Sequence, residues 1–196
     1  MGTYLISITG ASGAIYGLRT IQALIKGGHE VHAIVSPWGE RVVHEETGQP
    51  FFAWIEALGL SGDRVYNPQD LAALPSSGSF ALDGTVIVPC SMSSIGAVAS
   101  GVSGNLIHRS ALVSLKEGRP LILVPRETPL SLIDLRNLTS LAEAGATILP
   151  AAPAFYQKPQ SIDDLVDFIA GKILSRLGLE HRLFEPWGSS PKGSQQ

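Results

Sequence analysis

The amino-acid sequence predicts an α/β protein with one parallel sheet that is covered by helices on both faces. Strand patterns and helix patterns alternate along the chain. Several strand segments are continuously apolar, such as PLILV at 120–124, as expected for strands that are buried on both sides. A length of 196 residues supports one domain with a substantial core. We expect that domain over residues 1–187 and a loose tail, rich in glycine and serine, over residues 188–196.

Turn and cap residues predict where the elements begin and end. Ser36-Pro37 supplies an N-cap and a proline at the first helical position. Ser161, with Asp164 three residues later, has the spacing of a capping box. Prolines and a serine-glycine cluster predict loop before residue 80. The expected strands are Tyr4–Thr9, Glu30–Ser36, Thr85–Pro89, Pro120–Val124 and Ala146–Leu149, and the expected helices are Ile15–Lys26, Pro37–Thr47, Phe51–Leu58, Ser93–Ala99, Leu106–Glu117, Leu132–Ala144 and Ile162–Leu177.

Charge and cysteine content narrow the possible functions. The formal net charge of −3 gives no support for nucleic-acid binding. A single cysteine and the lack of a signal-peptide pattern favour a cytoplasmic protein. Only 16% of the residues are charged, which indicates that other subunits cover part of the surface. The uncharged stretch Gly84–Ile107 is long enough to cross a bilayer, but its proline, glycines and serines favour a strand, a turn and a helix.

The turn after the first strand reads Gly10-Ala11-Ser12-Gly13 and continues to Gly17. Glycines there let a ligand approach a helix N-terminus, where free N–H groups favour an anion. The glycine spacing is not a dinucleotide fingerprint or a P-loop, and the second strand ends at Ser36 rather than at an acidic residue. The turn therefore favours a phosphate-bearing ligand other than NAD or ATP. The alternative is that the glycines serve only the packing of the chain.

A second turn, Cys90-Ser91-Met92-Ser93-Ser94, follows another predicted strand. Ligands of open α/β sheets bind at the carboxyl ends of the strands. Two hydroxyl-rich turns at one edge can hold a mononucleotide such as FMN, although ordinary helix capping also explains single serines. We expect Cys90 to be a buried apolar residue rather than a nucleophile.

A few charged side chains lie beside apolar strands or in the loops near them. Arg126 and Glu127 directly follow the strand at 120–124, and other cationic or hydrogen-bonding groups could bind a second phosphate around the same pocket. For each of them a solvated surface charge is the alternative, and we favour that interpretation for Lys158. The further candidates are Arg109, Lys116, Tyr156, Lys158 and Lys172.

One acidic cluster resembles a metal site without supporting context. Asp163-Asp164-x-x-Asp167 matches the pattern by which magnesium-dependent prenyl enzymes hold diphosphate. These carboxylates fall in the first turns of a capped helix, where acidic residues complement the helix dipole. There is no second aspartate cluster and no Cys/His cluster for zinc, so the sequence predicts no metal site.

Several of these motifs together resemble the UbiX/Pad1 flavin prenyltransferases over Thr3–Trp187. The resemblance implies a Rossmann-like flavoprotein fold, FMN binding and assembly as a dodecamer. It implies transfer of dimethylallyl from dimethylallyl monophosphate to N5 of reduced FMN, then ring closure at C6, without a metal. The prenylated FMN would serve UbiD-type decarboxylases, one of which acts in ubiquinone biosynthesis. The motifs are GASGAIYG at 10–17, PCSMSS at 89–94, NLIHR at 105–109, LKE at 115–117, VPRETP at 124–129 and PAAPAFYQKPQS at 150–161.

The resemblance also implies residue roles. Glu127 and Ser12 are the candidates for proton transfer, while Glu46 and Trp187 match positions that line the active site. Lys172 stands where we expect an arginine in some relatives, so it keeps the charge and loses the fork. FMN contacts are implied for Gly10, Ala11, Ser12, Ser36, Ser91, Met92, Ser93, Ser94 and Arg126, and contacts to the prenyl phosphate for Arg109, Lys116, Tyr156 and Lys172.

Three other functions remain as alternatives. FMN-dependent cysteine decarboxylases share the predicted fold but carry a Pro-x-Met-Asn element, and this sequence has no Met-Asn pair. A flavin carrier without chemistry would not need the additional cationic side chains. A nicotinamide-dependent reductase is disfavoured by Ser36.

Overall fold

A computed structural model describes residues 1–185 of the chain. Six strands form one sheet in the order β3-β2-β1-β4-β5-β6, and every neighbouring pair is parallel. The predicted α/β class is confirmed. In chain order the strands are β1 (Thr3–Ile8), β2 (Glu30–Val35), β3 (Val65–Tyr66), β4 (Gly84–Cys90), β5 (Leu121–Pro125) and β6 (Thr147–Ile148).

Seven α-helices in the described residues connect and cover these strands. The two predicted caps, Ser36 and Ser161, are present, and Ser91, for which capping was the alternative, also caps its helix: each hydroxyl accepts a hydrogen bond from a backbone N–H group in the first turn. The capping box between Ser161 and Asp164 is confirmed. The helices are α1 (Ala14–Lys26), α2 (Pro37–Thr47), α3 (Phe51–Ala57), α4 (Met92–Ala99), α5 (Leu106–Lys116), α6 (Leu132–Glu143) and α7 (Ile162–Arg176).

The sheet is buried on both faces, as the apolar strands predict. Side chains of a strand alternate between the two faces, so Ile6 and Ile8 join one core cluster and Leu5 joins the other. The first cluster includes residues of α1 and α7, and the second includes residues of α4 and α5. Gly17 lets α1 pack directly on the sheet, because a Cβ there would lie 2.4 Å from the carbonyl oxygen of Val88.

Two parts of the chain between 51 and 107 test the sequence analysis. The uncharged stretch divides into β4 and α4, as expected, and no helix within residues 1–185 is long and apolar enough to cross a membrane. The region expected to be loop contains β3, which the sequence analysis missed. This strand is only two residues long and forms by pairing with Ala33 and Ile34 of β2. Such pairing between distant segments leaves no local pattern.

Candidate functional site

The candidate site lies at the carboxyl ends of the strands, where the sheet order reverses between β1 and β4. Thr9, directly after β1, joins the turns that follow these two strands. Its N–H and its hydroxyl donate to the Pro89 carbonyl at 3.2 and 2.9 Å, and its Oγ1 accepts the Ser91 N–H at 2.7 Å. Because Thr9 is only 2% exposed and bonds to both turns, it holds the two turns at a fixed spacing.

The first turn passes directly beneath α2. A Cβ on Gly10 would lie 2.5 Å from Cβ of Trp38, so this approach requires glycine and the packing alternative holds at this position. Ala11 is buried next to it. The Trp38 side chain is 67% exposed, and the guanidinium of Arg41 lies 5.6 Å from its ring centroid. A large aromatic face is therefore open to solvent beside the turn.

The N-terminus of α1 is occupied by a carboxylate of the chain itself. Glu46 accepts hydrogen bonds from the Ser12 hydroxyl at 2.7 Å, from Gly13 N–H at 2.8 Å and from Ala14 N–H at 2.9 Å. These are the groups that the sequence analysis left free for an anion, and the structure differs because Glu46 reaches back from the last turn of α2. Burial of the Tyr16 side chain, and then the nearby charge of Glu46, raise the pKa of Tyr16.

Arg126 adds a cation to this group. It directly follows β5, and its Nε donates to the Ser12 carbonyl at 3.2 Å. Ser12 thus contacts both Glu46 and Arg126, and two opposite charges lie at the same turn. The neighbouring Glu127 is exposed, and its carboxylate accepts the N–H of Thr128 at 2.9 Å. The structure therefore brings four predicted site residues to the region after β1 and β5.

The second turn presents a cluster of three hydroxyls at the N-terminus of α4. Ser91 caps the helix, its Oγ lies 3.0 Å from Oγ of Ser93, and it donates to Oγ of Ser94 at 3.2 Å. Ser93 is exposed and Ser94 is buried, while Met92 is the first residue of the helix. Together with the Ser36 hydroxyl at the start of α2, this donor set fits an oxygen-rich ligand such as a ribityl phosphate.

Cys90, at the end of β4, is a buried apolar residue, as expected. It is fully buried, and desolvation raises the pKa of its thiol far above the usual value. A thiol that is protonated at neutral pH is a poor nucleophile. The chemistry of the second turn therefore depends on its hydroxyls.

Comparison with known proteins places the chain in a family. The sequence model described as Flavoprotein matches residues 3–174. The flavin prenyltransferase UbiX of Halalkalibacterium halodurans is 46% identical over 194 residues, which cover 95% of this chain and 94% of that protein. The chain belongs to the UbiX flavin prenyltransferase family. The resemblance inferred from the motifs is confirmed.

Solved structures agree with this family. A crystal structure of AnUbiX (PadA1) in complex with FMN and dimethylallyl pyrophosphate is 44% identical, with a TM-score of 0.90 and coverage of 95% of this chain and 97% of that one. A dodecameric FMN-dependent UbiX-like decarboxylase from Escherichia coli O157:H7 is 39% identical, with a TM-score of 0.89 and coverage of 94% and 98%. The Rossmann-like flavoprotein fold of the family is therefore shown for this chain.

The other cations that the family resemblance implies lie apart in the single chain. Arg109 is in the first turn of α5, and its Nε donates to the Ser76 carbonyl at 3.0 Å. Lys116 ends the same helix, which runs back to the opposite edge of the sheet, and pairs with Glu117 at 2.9 Å. The expectation that Lys116 points to the ligand edge is not met within one chain. Its contact to the prenyl phosphate stays a prediction.

Tyr156 and Lys172 lie together at a cavity whose lining residues do not include Arg126. The Tyr156 ring packs edge-on against Phe168, and the Lys172 ammonium is 5.9 Å from the centroid of that same ring. Both side chains line an open cavity of about 590 Å³ with Phe184. The predicted contacts of this pair to a phosphate remain untested. Trp187, the other predicted aromatic residue, lies outside the described residues, as does the predicted tail at 188–196.

The aspartate cluster of α7 has structural partners, as expected. Asp164 accepts the N–H groups of Gln160 and Ser161, and Asp167 pairs with the guanidinium of Arg19. No group of three or more metal-ligating side chains occurs among residues 1–185. The interpretation of these carboxylates as acidic residues of a capped first turn is confirmed for Asp163 and Asp164, and the ion pair of Asp167 with Arg19 is an additional finding.

Two residues at the site were missed by the sequence analysis. Thr9 was assigned to the first strand, and only the structure shows that its hydroxyl bridges two turns. His108 was not a candidate, because the sequence has no Cys/His cluster for zinc, yet its Nε2 lies 3.4 Å from Oγ of Ser94. The cap Asn105, whose side chain accepts the N–H of His108, was the available signal, because it places His108 in the first turn of α5.

Proposed function

We propose that the protein transfers a dimethylallyl group from dimethylallyl monophosphate to N5 of reduced FMN and then closes a ring at C6. The observation that carries this proposal is the likeness over nearly the whole chain to a prenyltransferase structure that holds FMN and a dimethylallyl ester. The arrangement of Ser12, Glu46 and Arg126 supports it, because an acid-base pair and a cation lie at one turn.

The flavin would lie across the carboxyl ends of β1 and β4. Glu46 already occupies the N–H groups of Gly13 and Ala14, so we assign the FMN phosphate to the hydroxyl-capped starts of α2 and α4. Ser36, Ser91 and Ser93 would donate to its oxygen atoms. The isoalloxazine would then reach the first turn, with Gly10, Ala11 and Ser12 beside it and Arg126 at its edge.

The reaction breaks the allylic C–O bond, and the electron pair leaves with the phosphate. Cationic side chains aimed at the phosphate would stabilise the charge that develops there. Ser12 would take the N5 proton while passing its own proton to Glu46, which it contacts at 2.7 Å. For ring closure the remaining prenyl double bond gains a proton, C6 bonds to the resulting cationic carbon, and C6 then loses its own proton, so no proton is consumed overall. Glu127, which is exposed and follows Arg126 in the chain, would accept the C6 proton or protonate the leaving phosphate.

A second copy of the chain would supply the remaining phosphate ligands. Arg109 and Lys116 lie at opposite ends of α5, and Lys172 lines a cavity whose lining residues do not include Arg126, so one chain holds these cations on separate parts of its surface. The low charge content and exposed apolar side chains of the chain, such as Ile133 and Phe155 at 70% each, favour assembly. A dodecamer like that of the Escherichia coli relative would bring separated cations to shared sites.

The product would be passed on to a UbiD-type decarboxylase, and the protein would act in the cytoplasm. The transfer to a decarboxylase follows from the proposed reaction, because prenylated FMN is useful only to an enzyme that binds it. The cytoplasmic location is inferred from the single buried cysteine.

Mass spectrometry of the flavin tests the proposed reaction. Purified protein is incubated without oxygen with reduced FMN and dimethylallyl monophosphate, and the flavin is extracted and weighed. We expect a gain of one five-carbon unit that depends on both substrates. Oxidised FMN serves as the matched control. An unchanged flavin at saturating substrate would contradict prenyl transfer, and loss of CO₂ from a cysteine-containing peptide would support a cysteine decarboxylase instead.

A further inference from the structure

The hydroxyl cluster of the second turn extends to a histidine. Ser91 donates to Oγ of Ser94 at 3.2 Å, and Oγ of Ser94 lies 3.4 Å from Nε2 of His108. Ser94 is only 6% exposed, and its N–H contacts Oγ of Ser91 at 3.4 Å. With Ser91 donating to Ser94, the Ser94 hydroxyl can donate in turn to His108 Nε2 when the neutral imidazole carries its proton on Nδ1. The donation therefore runs inward, from the ligand side to the imidazole.

With this direction of donation, the other ring nitrogen of His108 lacks a hydrogen-bond partner among the described residues. An imidazole that accepts at Nε2 carries its proton on Nδ1. Nδ1 is buried and has no hydrogen-bond partner in the described residues, and a Cβ added to Gly104 would lie 3.6 Å from this same nitrogen. A buried donor without an acceptor is unfavourable. A second proton on Nε2 would reverse the donation to Ser94, and nothing else in the ring would have to move.

Among residues 1–185, the loop whose Pro68 carbonyl accepts the Leu106 N–H brings Asp70 near the start of α5, and the carboxylate of Asp70 accepts the N–H of Ala72. Helix α4, the turn at 100–105 and the 3-10 turn Leu74–Ser76 contain no charged residue. On its own helix, the guanidinium of Arg109 faces the Ser76 carbonyl. Burial lowers the pKa of His108 from its usual value, so the free protein holds it neutral at pH 7.

We propose that His108 is a positioning residue that takes up a proton from solvent when the flavin phosphate binds at the second turn. Nε2–H then donates to Ser94, and the hydroxyl proton of Ser91 is released to donate to a phosphate oxygen. The inference rests on the proposed binding of FMN and concerns this chain's own histidine. A nearby anion stabilises the charged imidazole, so binding raises the pKa of His108.

The sign of the pH dependence follows from this linkage. Protonation is favoured in the complex, so FMN affinity rises as the pH falls into the range between the pKa values of the free and bound protein. Riboflavin has no phosphate and should lack the effect. A one-unit rise in the pKa of His108 corresponds to about a tenfold gain in affinity.

The test compares FMN and riboflavin binding by the full chain and its His108→Gln variant between pH 5.5 and 7.5. Flavin fluorescence gives the dissociation constants, and calorimetry in buffers of different ionisation enthalpy gives the proton uptake. We expect FMN affinity of the unmodified protein to gain about tenfold over that of His108→Gln at the acid end, with no such gain for riboflavin. Proton uptake by the FMN phosphate itself is common to both proteins and cancels in the comparison.

An NMR titration of the His108 ring keeps the test independent of the variant's folding. FMN should raise the pKa of His108 and riboflavin should not. Equal dissociation-constant ratios at every pH, or an unchanged His108 pKa in the FMN complex, would overturn the inference while leaving FMN binding intact. Equal shifts with riboflavin would overturn the assignment to the phosphate. If the unmodified protein binds neither flavin, the proposed function falls together with this inference.

Discussion

The two turns at the carboxyl edge satisfy their helix N-termini with different chemistry. At the start of α1, the Glu46 carboxylate accepts from Gly13 and Ala14, and Arg126 lies against the same turn. At the start of α4, the hydroxyls of Ser91, Ser93 and Ser94 form the cluster instead of a carboxylate. The fixed charges of the first turn suit it to moving protons, whereas the hydroxyls of the second turn can reorient and suit it to holding a ligand.

The largest expected effect on turnover comes from removing the negative charge at the first turn. Replacing Glu46→Gln keeps the length of the side chain but leaves one oxygen to accept from Ser12, Gly13 and Ala14. We expect turnover to fall about 100-fold, the usual effect of losing a general acid-base group, while FMN still binds through the second turn. Anaerobic single-turnover assays with mass detection of the flavin measure the rate, and flavin fluorescence measures the binding.

Glu45→Gln is the matched control for that experiment. Glu45 is the preceding residue of the same helix, is exposed and pairs only with Arg41 among the described residues. Its replacement should leave turnover unchanged. Equal rates for Glu46→Gln and Glu45→Gln would show that the carboxylate at α1 is only a cap.

Thr9 connects the two turns, so its hydroxyl tests whether they act as a unit. In Thr9→Val the shape is kept, but Ser91 N–H loses its acceptor and the Pro89 carbonyl loses a donor. We expect the free energy of unfolding to fall by about 2 kcal/mol. FMN should also bind more weakly, because the two turns that hold it are no longer bridged. Urea unfolding measures the first quantity.

Thr9→Ser provides the comparison that isolates the hydroxyl. It keeps Oγ and removes only a methyl group, which costs about 1 kcal/mol. If Thr9→Ser proves less stable than Thr9→Val, the bridge between the turns contributes less than the buried methyl group does.

Sequence reasoning predicted well the features that depend on neighbouring residues. Most element ends fall within one or two positions of the structure, because caps such as Ser36 and Ser161 and the apolar periodicity are local signals. The two hydroxyl-rich turns were located because glycines and serines follow apolar strands. For the same reason the fold class could be predicted from the alternation of elements alone.

Contacts between distant segments could not be predicted from local patterns. Nothing in the residues around Glu46 shows that it reaches α1, 32 positions earlier in the chain, and it entered the predicted site only through the family resemblance. The expected orientation of Lys116 toward the ligand edge is not met within one chain, because a helix between parallel strands returns to the opposite edge of the sheet. Its contact to the prenyl phosphate stays a prediction that depends on other copies of the chain.

The smallest expected effect concerns a charged region that resembles a catalytic one. Asp163 is an acidic residue in the first turn of α7, where its charge complements the helix dipole. Asp163→Asn should change the free energy of unfolding by less than about 1 kcal/mol and leave prenyl transfer unchanged, with or without added Mg²⁺. Asp167→Asn, which breaks the ion pair with Arg19, should lower stability more and also spare turnover. If prenyl transfer depends on Mg²⁺ and either variant abolishes it, the carboxylates of α7 bind the phosphate instead of the cations at the sheet edge. Only a bound cation could make these acidic groups attract a phosphate.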